Sequence, residues 1–135
     1  MNDLRMAVVG VGRMGLTHAE NLVSRIRGAR LAAVTTSSAE RAAEVSRRCG
    51  AVSVYDDLDA LLEAEALDAV IIASSTSAHV ANVERCALAG LHILCEKPLG
   101  LSLEECGRAG AAARAAGVKL MLGHTRRFDA GYIEA

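Results

Sequence analysis

"MAVVGVGRMG", residues 6–15, is the stretch that decides the fold, because an apolar run leads directly into three closely spaced glycines. Gly10, Gly12 and Gly15 have the spacing G-x-G-x-x-G, and the residues after them have a helical period. In this context Gly10 permits a tight turn, Gly12 lets the backbone approach a pyrophosphate, and Gly15 lets the helix pack closely on the strand. The glycine spacing alone is a weak signal, but a strand before it and a helix after it are typical of a dinucleotide-binding fold.

Two other interpretations of this stretch stay open: a tight turn without a ligand, and the first βα turn of a fold that binds S-adenosylmethionine. If a dinucleotide is bound, the backbone N–H groups of Arg13 and Met14 lie at the start of a helix. There they point at the phosphates, helped by the helix dipole.

The rest of the chain alternates between short apolar segments and longer alanine-rich segments of helical period. Continuous apolar strands separated by helices indicate a parallel sheet covered on both faces. We therefore predict an α/β fold, a doubly wound parallel sheet of the Rossmann type with strand order 3-2-1-4-5-6. The predicted strands are 6–10, 31–35, 52–55, 68–74, 92–96 and 119–123, and the predicted helices are 14–27, 39–49, 57–65, 78–90 and 103–116. Ser38 and Ser102 are expected to cap helices, and Gly50, Gly90 and Gly117 to end them.

The composition excludes several classes of protein. The 135 residues are 52% hydrophobic but only 2% aromatic, and 15 basic residues balance 16 acidic ones to a net charge of -1. We therefore expect no nucleic-acid or membrane partner. The cysteines have neither a CxxC motif nor metal-ligand spacing, so we expect free thiols and no metal. With no signal peptide and no long apolar run, a soluble cytoplasmic protein is expected.

The end of the second predicted strand bears on the choice of cofactor. An NAD-binding fold usually has a carboxylate there that holds the ribose 2′-OH. Here Thr36 occupies the position, and within "AAVTTSSAERA" (32–42) no acid comes before Glu40. Hydroxyls of Thr36 and Ser37 can donate to a 2′-phosphate, and Arg41 or Arg13 can supply charge. We predict NADP, or relaxed choice, over strict NAD. The alternative is that a serine here only caps the next helix.

The predicted strand order places three segments at one crevice: "GVGRMG", "SSTSAH" and "EKP" (96–98). With "GHTRRFDAGY" (123–132) in addition, the chain resembles the NAD(P)-binding domain of the Gfo/Idh/MocA oxidoreductases, and the inositol 2-dehydrogenase branch in particular. The resemblance covers essentially the whole chain.

The resemblance implies that Lys97 is catalytic: it hydrogen-bonds the reacting substrate hydroxyl and takes part in proton transfer. It also implies that Glu96 orients Lys97 or the cofactor ribose, and that Pro98 follows a cis peptide bond. Without the resemblance, Lys97 is better explained as a solvated lysine paired with Glu96. The full expected cofactor-binding set is Gly10, Gly12, Arg13, Met14, Gly15, Thr36, Ser37, Ser74, Ser75, Thr76, His79, Glu96, Pro98 and Arg127. Of the other histidines, His18 and His92 are read as structural or solvated, and His124 as a strand cap or a substrate contact.

The resemblance further implies hydride transfer between NAD(P) and a secondary alcohol of a polyol or sugar, in a possible homo-oligomer. Residues 1–123 are expected to form the Rossmann domain, and residues 124–135 to begin a crossover to a substrate domain absent from the chain. Two other functions stay open: a dinucleotide-binding module without catalysis of its own, and a non-functional remnant.

Overall fold

Six strands form a single parallel sheet in the computed structural model, which describes residues 3–133. The strands are β1 (Leu4–Val9), β2 (Ala29–Thr35), β3 (Ser53–Tyr55), β4 (Ala69–Ile72), β5 (His92–Glu96) and β6 (Leu120–Gly123). Along the sheet they follow the order β3-β2-β1-β4-β5-β6, and every neighbouring pair is parallel. The predicted fold class and strand order are therefore confirmed. Residues 1–2, at the start of the predicted Rossmann domain (1–123), and residues 134–135, at the end of the predicted crossover (124–135), lie outside the described residues.

Helices connect consecutive strands. They are α1 (Arg13–Ser24), α2 (Ala39–Cys49), α3 (Leu58–Ala64), α4 (Thr76–Leu88) and α5 (Leu103–Ala116), followed by a 3-10 turn (Thr125–Phe128) and a short α6 (Ala130–Ile133). The predicted caps are present: the Ser38 hydroxyl accepts from the Arg41 N–H and the Ser102 hydroxyl from the Glu105 N–H. Gly50, Gly90 and Gly117 have positive φ where α2, α4 and α5 end.

Alternate residues of the central strands enter two separate cores. Val9, Val70 and Ile72 lie in the core formed with α3, α4 and α5. Val8 and Ile71 lie in the other core, on the side of α1 and α2. This alternation follows from the two-residue period of a strand and explains why the strands are apolar throughout.

Helices were predicted to cover both faces of the sheet, but this cover is incomplete at the β6 edge. Met121 pairs in register with Leu94, and its side chain is 51% exposed. Among residues 3–133, no helix is long and apolar enough to cross a bilayer.

All four cysteines are free thiols, as predicted. Cys49, Cys86 and Cys95 are buried and Cys106 is half-buried. Burial raises the pKa of Cys86 and of Cys95 to about 12, because the apolar core disfavours the thiolate.

The sheet reverses its winding direction between β1 and β4. The next strand after β1 lies on one side of it, while β4 lies on the other side. The two strands end together, since the Ala73 N–H donates to the Val9 carbonyl oxygen at 2.9 Å. Ligands of doubly wound sheets bind at this point of reversal, outside the carboxyl ends of the strands.

Candidate functional site

Gly10 and Gly15 are required by the fold of the glycine loop. Gly10 has a φ of +88°, and a Cβ there would lie 2.7 Å from the Cα of Ser74, in the loop after β4. A Cβ on Gly15 would overlap the carbonyl oxygen of Gly10. These glycines let α1 begin directly at the end of β1 and let the two loops lie side by side. Their predicted roles, a tight turn and close helix packing, match this geometry.

Gly12 differs, because nothing in the folded chain requires a glycine there. Its φ of -65° suits any residue, and a Cβ would meet no atom within 4 Å. The space beside it opens into the crevice. A side chain would occupy that space, so the glycine leaves room for a group that the chain itself does not supply.

The two helices that begin beside the reversal point, α1 and α4, have no side-chain cap. Hydroxyl or carboxylate side chains of Ser38, Asp57 and Ser102 cap α2, α3 and α5. By contrast, the N-cap residues of α1 and α4 are Gly12 and Ser75, and neither helix has a side-chain cap or an acidic residue in its first turn. The first N–H groups of a helix have no partner inside it, and together with the helix dipole they attract an anion. Both helix ends therefore suit a phosphate.

A first cleft of about 570 Å³ lies outside the ends of β1, β2 and β4. Its volume is in the range of sites for small ligands and cofactors. The polar or glycine residues that line it are Gly10, Gly12, Thr35, Thr36, Ser37, Arg41, Ser74, Ser75 and Asn82. Among the described residues that line it, Arg41 is the only charged one, so no carboxylate borders the cleft.

The hydrogen bonds at the end of β2 determine which groups face this cleft. The Thr36 hydroxyl accepts from the Ser38 N–H at 3.2 Å, and Ser38 in turn caps α2. Ser37 is exposed and Arg41 is paired with Glu44 at 2.8 Å. The capping role considered for a serine is therefore real, but it belongs to Ser38, and it leaves Ser37 and Arg41 at the cleft.

A second cleft of about 290 Å³ continues from the first and shares Gly12, Ala73 and Ser74 with it. Its other lining residues come from both sides of the reversal point: Arg13, Met14, Thr76, His79, Glu96 and Lys97. The glycine loop and the EKP segment thus form walls of the same cleft, as the strand order predicts.

Lys97 is exposed at this cleft, and no ion pair involves it within residues 3–133. Glu96 is bonded elsewhere: its Oε1 lies 2.7 Å from Nε2 of His18, with the two side chains only 10% and 20% exposed. The Lys97–Glu96 pair considered from the sequence is therefore replaced by a His18–Glu96 pair. The Lys97–Pro98 peptide bond is cis, as the resemblance implied.

His79 is buried at 2% exposure beneath the second cleft. Its Nδ1 lies 2.8 Å from the Pro98 carbonyl oxygen, and its Nε2 lies 3.0 Å from the Ser74 carbonyl oxygen. Both ring nitrogens thus contact the backbone, one at the EKP segment and the other in the loop after β4. Its predicted contact with a cofactor stays a prediction.

Two predicted cofactor residues lie apart from the lining of both clefts. Arg127 is exposed on the 3-10 turn after β6. Pro98 contributes its carbonyl oxygen to His79 and does not itself line either cleft. The cofactor assignments of these two residues remain predictions.

Three residues of the site were missed from the sequence. Thr35 accepts the Gly10 N–H at 3.0 Å, and Asn82 donates to the Ser74 hydroxyl at 3.1 Å. The third is His18, which the sequence suggested only as structural or solvated. A polar residue at the end of a buried central strand was the available signal for Thr35. His18 and Asn82 are polar positions on helices, which sequence alone cannot distinguish from solvated ones.

A doubly wound parallel sheet with a glycine loop, two uncapped helix ends and a polar crevice at the reversal point defines a dinucleotide-binding Rossmann domain. The family comparison agrees with this class. The family model described as an oxidoreductase family with an NAD-binding Rossmann fold, Gfo/Idh/MocA, matches residues 4–124. The chain belongs to this family.

Its relatives include inositol dehydrogenases. The chain is 40% identical over 134 residues to a scyllo-inositol 2-dehydrogenase (NAD(+)) of Bacillus subtilis, covering 99% of this chain and 39% of the relative. It is 39% identical over 129 residues to a myo-inositol 2-dehydrogenase of Thermotoga maritima, covering 96% and 38%. The crystal structure of scyllo-inositol dehydrogenase from Lactobacillus casei with bound NAD(H) and scyllo-inositol superposes with a TM-score of 0.91 at 32% identity, covering 98% of this chain and 39% of that one. The chain thus spans less than half the length of these relatives.

Proposed function

We propose that this chain forms the cofactor-binding half of an NAD(P)-dependent oxidoreductase that acts on a secondary alcohol of an inositol-like polyol or sugar. The observation that carries the proposal is the second cleft, where the glycine loop and Lys97 form facing walls. A site that only bound a nucleotide would need the glycine loop but not an exposed lysine at the far wall.

The residues present fit a dinucleotide. Gly12 leaves space for the pyrophosphate, and the N–H groups of Arg13 and Met14 start an uncapped helix beside it. The first cleft takes the adenosine ribose near Thr36 and Ser37, and the second cleft takes the nicotinamide end. A bound nicotinamide supplies or accepts the hydride.

The proposed role of Lys97 is proton exchange with the reacting hydroxyl. When the alcohol is oxidised, its hydroxyl proton passes to the Lys97 amine, and in the reverse direction the ammonium returns it. Because Glu96 is bonded to His18, Lys97 has no carboxylate partner among residues 3–133 that would hold it away from a substrate.

We further propose that NADP(H) is accepted at least as well as NAD(H). Within residues 3–133, no carboxylate lines the first cleft to repel a 2′-phosphate, while Ser37 can donate a hydrogen bond and Arg41 can supply positive charge. The Bacillus subtilis and Lactobacillus casei relatives are named with NAD, so the two cofactors must be compared directly on this chain.

The substrate class is taken from the relatives, which are inositol dehydrogenases by name. We propose that residues 124–135 lead into a substrate domain, and that the complete enzyme is cytoplasmic because free thiols suit a reducing compartment. Homo-oligomer formation remains part of this proposal.

The first experiment is calorimetric titration of the chain with NADPH and, separately, with NADH. We expect saturable binding of one dinucleotide per chain. No binding of either dinucleotide by a folded chain would refute the proposed function, and much tighter binding of NADH would refute the NADP(H) proposal.

The second experiment tests Lys97. In a form of the protein that oxidises inositol, Lys97→Ala should reduce turnover by about 100-fold or more while dinucleotide affinity stays the same. Lys119→Ala is the matched control, since Lys119 directly precedes β6, at the edge of the sheet opposite the carboxyl ends of the strands. Unchanged turnover in Lys97→Ala would remove the lysine from the mechanism. Dinucleotide binding without turnover of any polyol would support the alternative of a binding module.

A further inference from the structure

Lys97 is flanked by two residues that are each bonded to a histidine of a different helix. Before it, Glu96 is bonded to His18 of α1 at 2.7 Å. After it, the carbonyl oxygen of Pro98 is bonded to His79 of α4 at 2.8 Å. Lys97 itself makes no ion pair within the described part of the chain. Its two neighbours therefore connect this segment to α1 and α4.

The His18 contact joins Lys97 to the glycine loop. His18 lies on α1, about one helical turn after Gly15, and its side chain is 20% exposed. Glu96 is the last residue of β5, with a side chain only 10% exposed. A carboxylate with so little solvent requires a donor, and His18 supplies it. Without His18, the Glu96 carboxylate would be free to turn toward the adjacent Lys97 ammonium.

The His79 contact joins Lys97 to the loop after β4. A carbonyl oxygen only accepts, so the contact with Pro98 takes an N–H at Nδ1 of His79 and the contact with Ser74 takes one at Nε2. A ring with a single N–H makes one of these hydrogen bonds at a time. The Nε2 side of the same ring lies 3.0 Å from the Ser74 carbonyl oxygen. Because the ring is buried at 2% exposure, water is not available to replace either contact. His79 thus spans the gap between two loops that line the second cleft.

We propose that His18 and His79 are positioning residues that hold Lys97 at the second cleft, His18 through the Glu96 carboxylate and His79 through the Pro98 carbonyl. The proposal rests on the proposed function, because it assigns to the two histidines the geometry of the lysine that would meet the substrate. It goes beyond that function in linking this geometry to α1 and α4, the two helices whose N-termini would hold the dinucleotide. Binding of the cofactor and placement of Lys97 then depend on the same two helices.

The chain offers an internal reference for testing this proposal, because Lys97 and Lys119 are its only lysines. We would acetylate the protein with limiting acetic anhydride and measure the modification of each lysine by peptide mass spectrometry. The measured quantity is the protection of Lys97, relative to Lys119, by saturating NADPH or NADH, whichever binds more tightly. Saturation removes any effect of a change in affinity.

The His18 variants are tested first, since this side chain lies on a surface helix. In His18→Leu we expect the protection of Lys97 to fall by about tenfold, the factor that one lost hydrogen bond to a charged group produces. His18→Gln keeps an amide N–H near the Nε2 position and should restore the protection. Glu20→Gln, which changes another residue of α1 and removes its ion pair with Arg48 of α2, is the matched control and should leave the protection unchanged.

The His79 variants separate positioning from general stability. His79→Asn keeps a donor near Nδ1, which faces Pro98, while His79→Gln keeps one near Nε2, which faces Ser74. Both remove a buried ring, so a purely structural role predicts similar results for the two variants. The proposal predicts that His79→Asn retains more protection of Lys97 than His79→Gln. If neither His79 variant folds, the His18 variants alone decide.

Two negative results have different meanings. If the unmodified chain binds no dinucleotide and Lys97 is not protected, the proposed function fails and the positioning proposal fails with it. If the unmodified chain shows protection and folded His18→Leu shows the same protection, only the positioning proposal is overturned.

Discussion

Substitution of Gly12 by valine should strongly weaken dinucleotide binding without unfolding the protein. Gly12 has a φ of -65° with extended ψ, and a Cβ would meet no atom within 4 Å. The valine side chain therefore causes no overlap within the chain. It does fill the space in front of the first N–H groups of α1, where a pyrophosphate would lie. The prediction separates a role of Gly12 in dinucleotide binding from a role of Gly12 in folding.

The magnitudes follow from what is lost in each case. Displacing a phosphate from the Arg13 and Met14 N–H groups removes two charge-assisted hydrogen bonds, each contributing about 1.5–3 kcal/mol. The affinity should therefore fall by a factor of about 100 or more. Valine is a poorer residue than glycine at the start of a helix but lowers the entropy of the unfolded chain. These effects oppose each other, so the free energy of unfolding should change by less than about 1 kcal/mol.

Two further variants frame the experiment. Gly10→Ala should destabilise the fold by about 2 kcal/mol or more, because its φ of +88° is unfavourable for alanine and its Cβ would lie 2.7 Å from Ser74 Cα. Gly107→Val, in open space on α5, is the matched control and should affect neither property. Affinity is measured by calorimetric titration and stability by urea unfolding. If Gly12→Val bound the dinucleotide normally, the assignment of the glycine loop would be wrong, and if it lost as much stability as Gly10→Ala, the separation of roles would be refuted.

Two other predictions concern the first cleft and the buried thiols. Arg41→Ala should weaken NADPH binding by about tenfold and leave NADH binding unchanged, because only NADPH carries the phosphate that the guanidinium would meet. An equal loss of affinity for both cofactors in parallel titrations would contradict this prediction. Burial raises the pKa of Cys86 and Cys95 to about 12, so at pH 8 only about one in ten thousand of either thiol is thiolate. Iodoacetamide should therefore modify half-buried Cys106 first in the folded protein, as measured by peptide mass spectrometry. Modification of Cys86 or Cys95 at the same rate would contradict the burial of these thiols.

The fold could be predicted because its signals are local. Apolar β-branched runs, alanine-rich periodic segments and capping serines each act within a few residues, and all of them agree with one strand order. Boundaries shifted where the local signal is weak: β2 begins at Ala29, two residues before the predicted start, and α1 ends at Ser24, three residues before the predicted end. The exposed edge at Met121 could not be predicted, because cover of a strand depends on the rest of the assembly.

The site was predicted only where a residue type follows from a local requirement. The glycines and the EKP segment carry such requirements, and the structure brings them to one crevice. By contrast, the partner of Glu96 is His18, 78 positions away in the sequence. Adjacent charges suggested a Lys97–Glu96 pair, but Glu96 is the buried last residue of β5, whereas Lys97 lies beyond the strand and is exposed. Long-range pairing of this kind is decided by packing of α1 against the sheet, which sequence spacing does not encode.

The distribution of side-chain caps among the helices relates the site to the fold. A side-chain cap stabilises a helix by about 1 kcal/mol, and three of the five long helices use one. The other two, α1 and α4, leave their first N–H groups open at the crevice. At α4 this occurs although Ser75 has a suitable hydroxyl, which lies 3.3 Å from the Ser77 hydroxyl instead. Stability alone would favour a cap at both helices, so the open ends indicate groups reserved for a ligand. A bound dinucleotide that satisfies these N–H groups should therefore stabilise the fold as well as prepare the second cleft for chemistry.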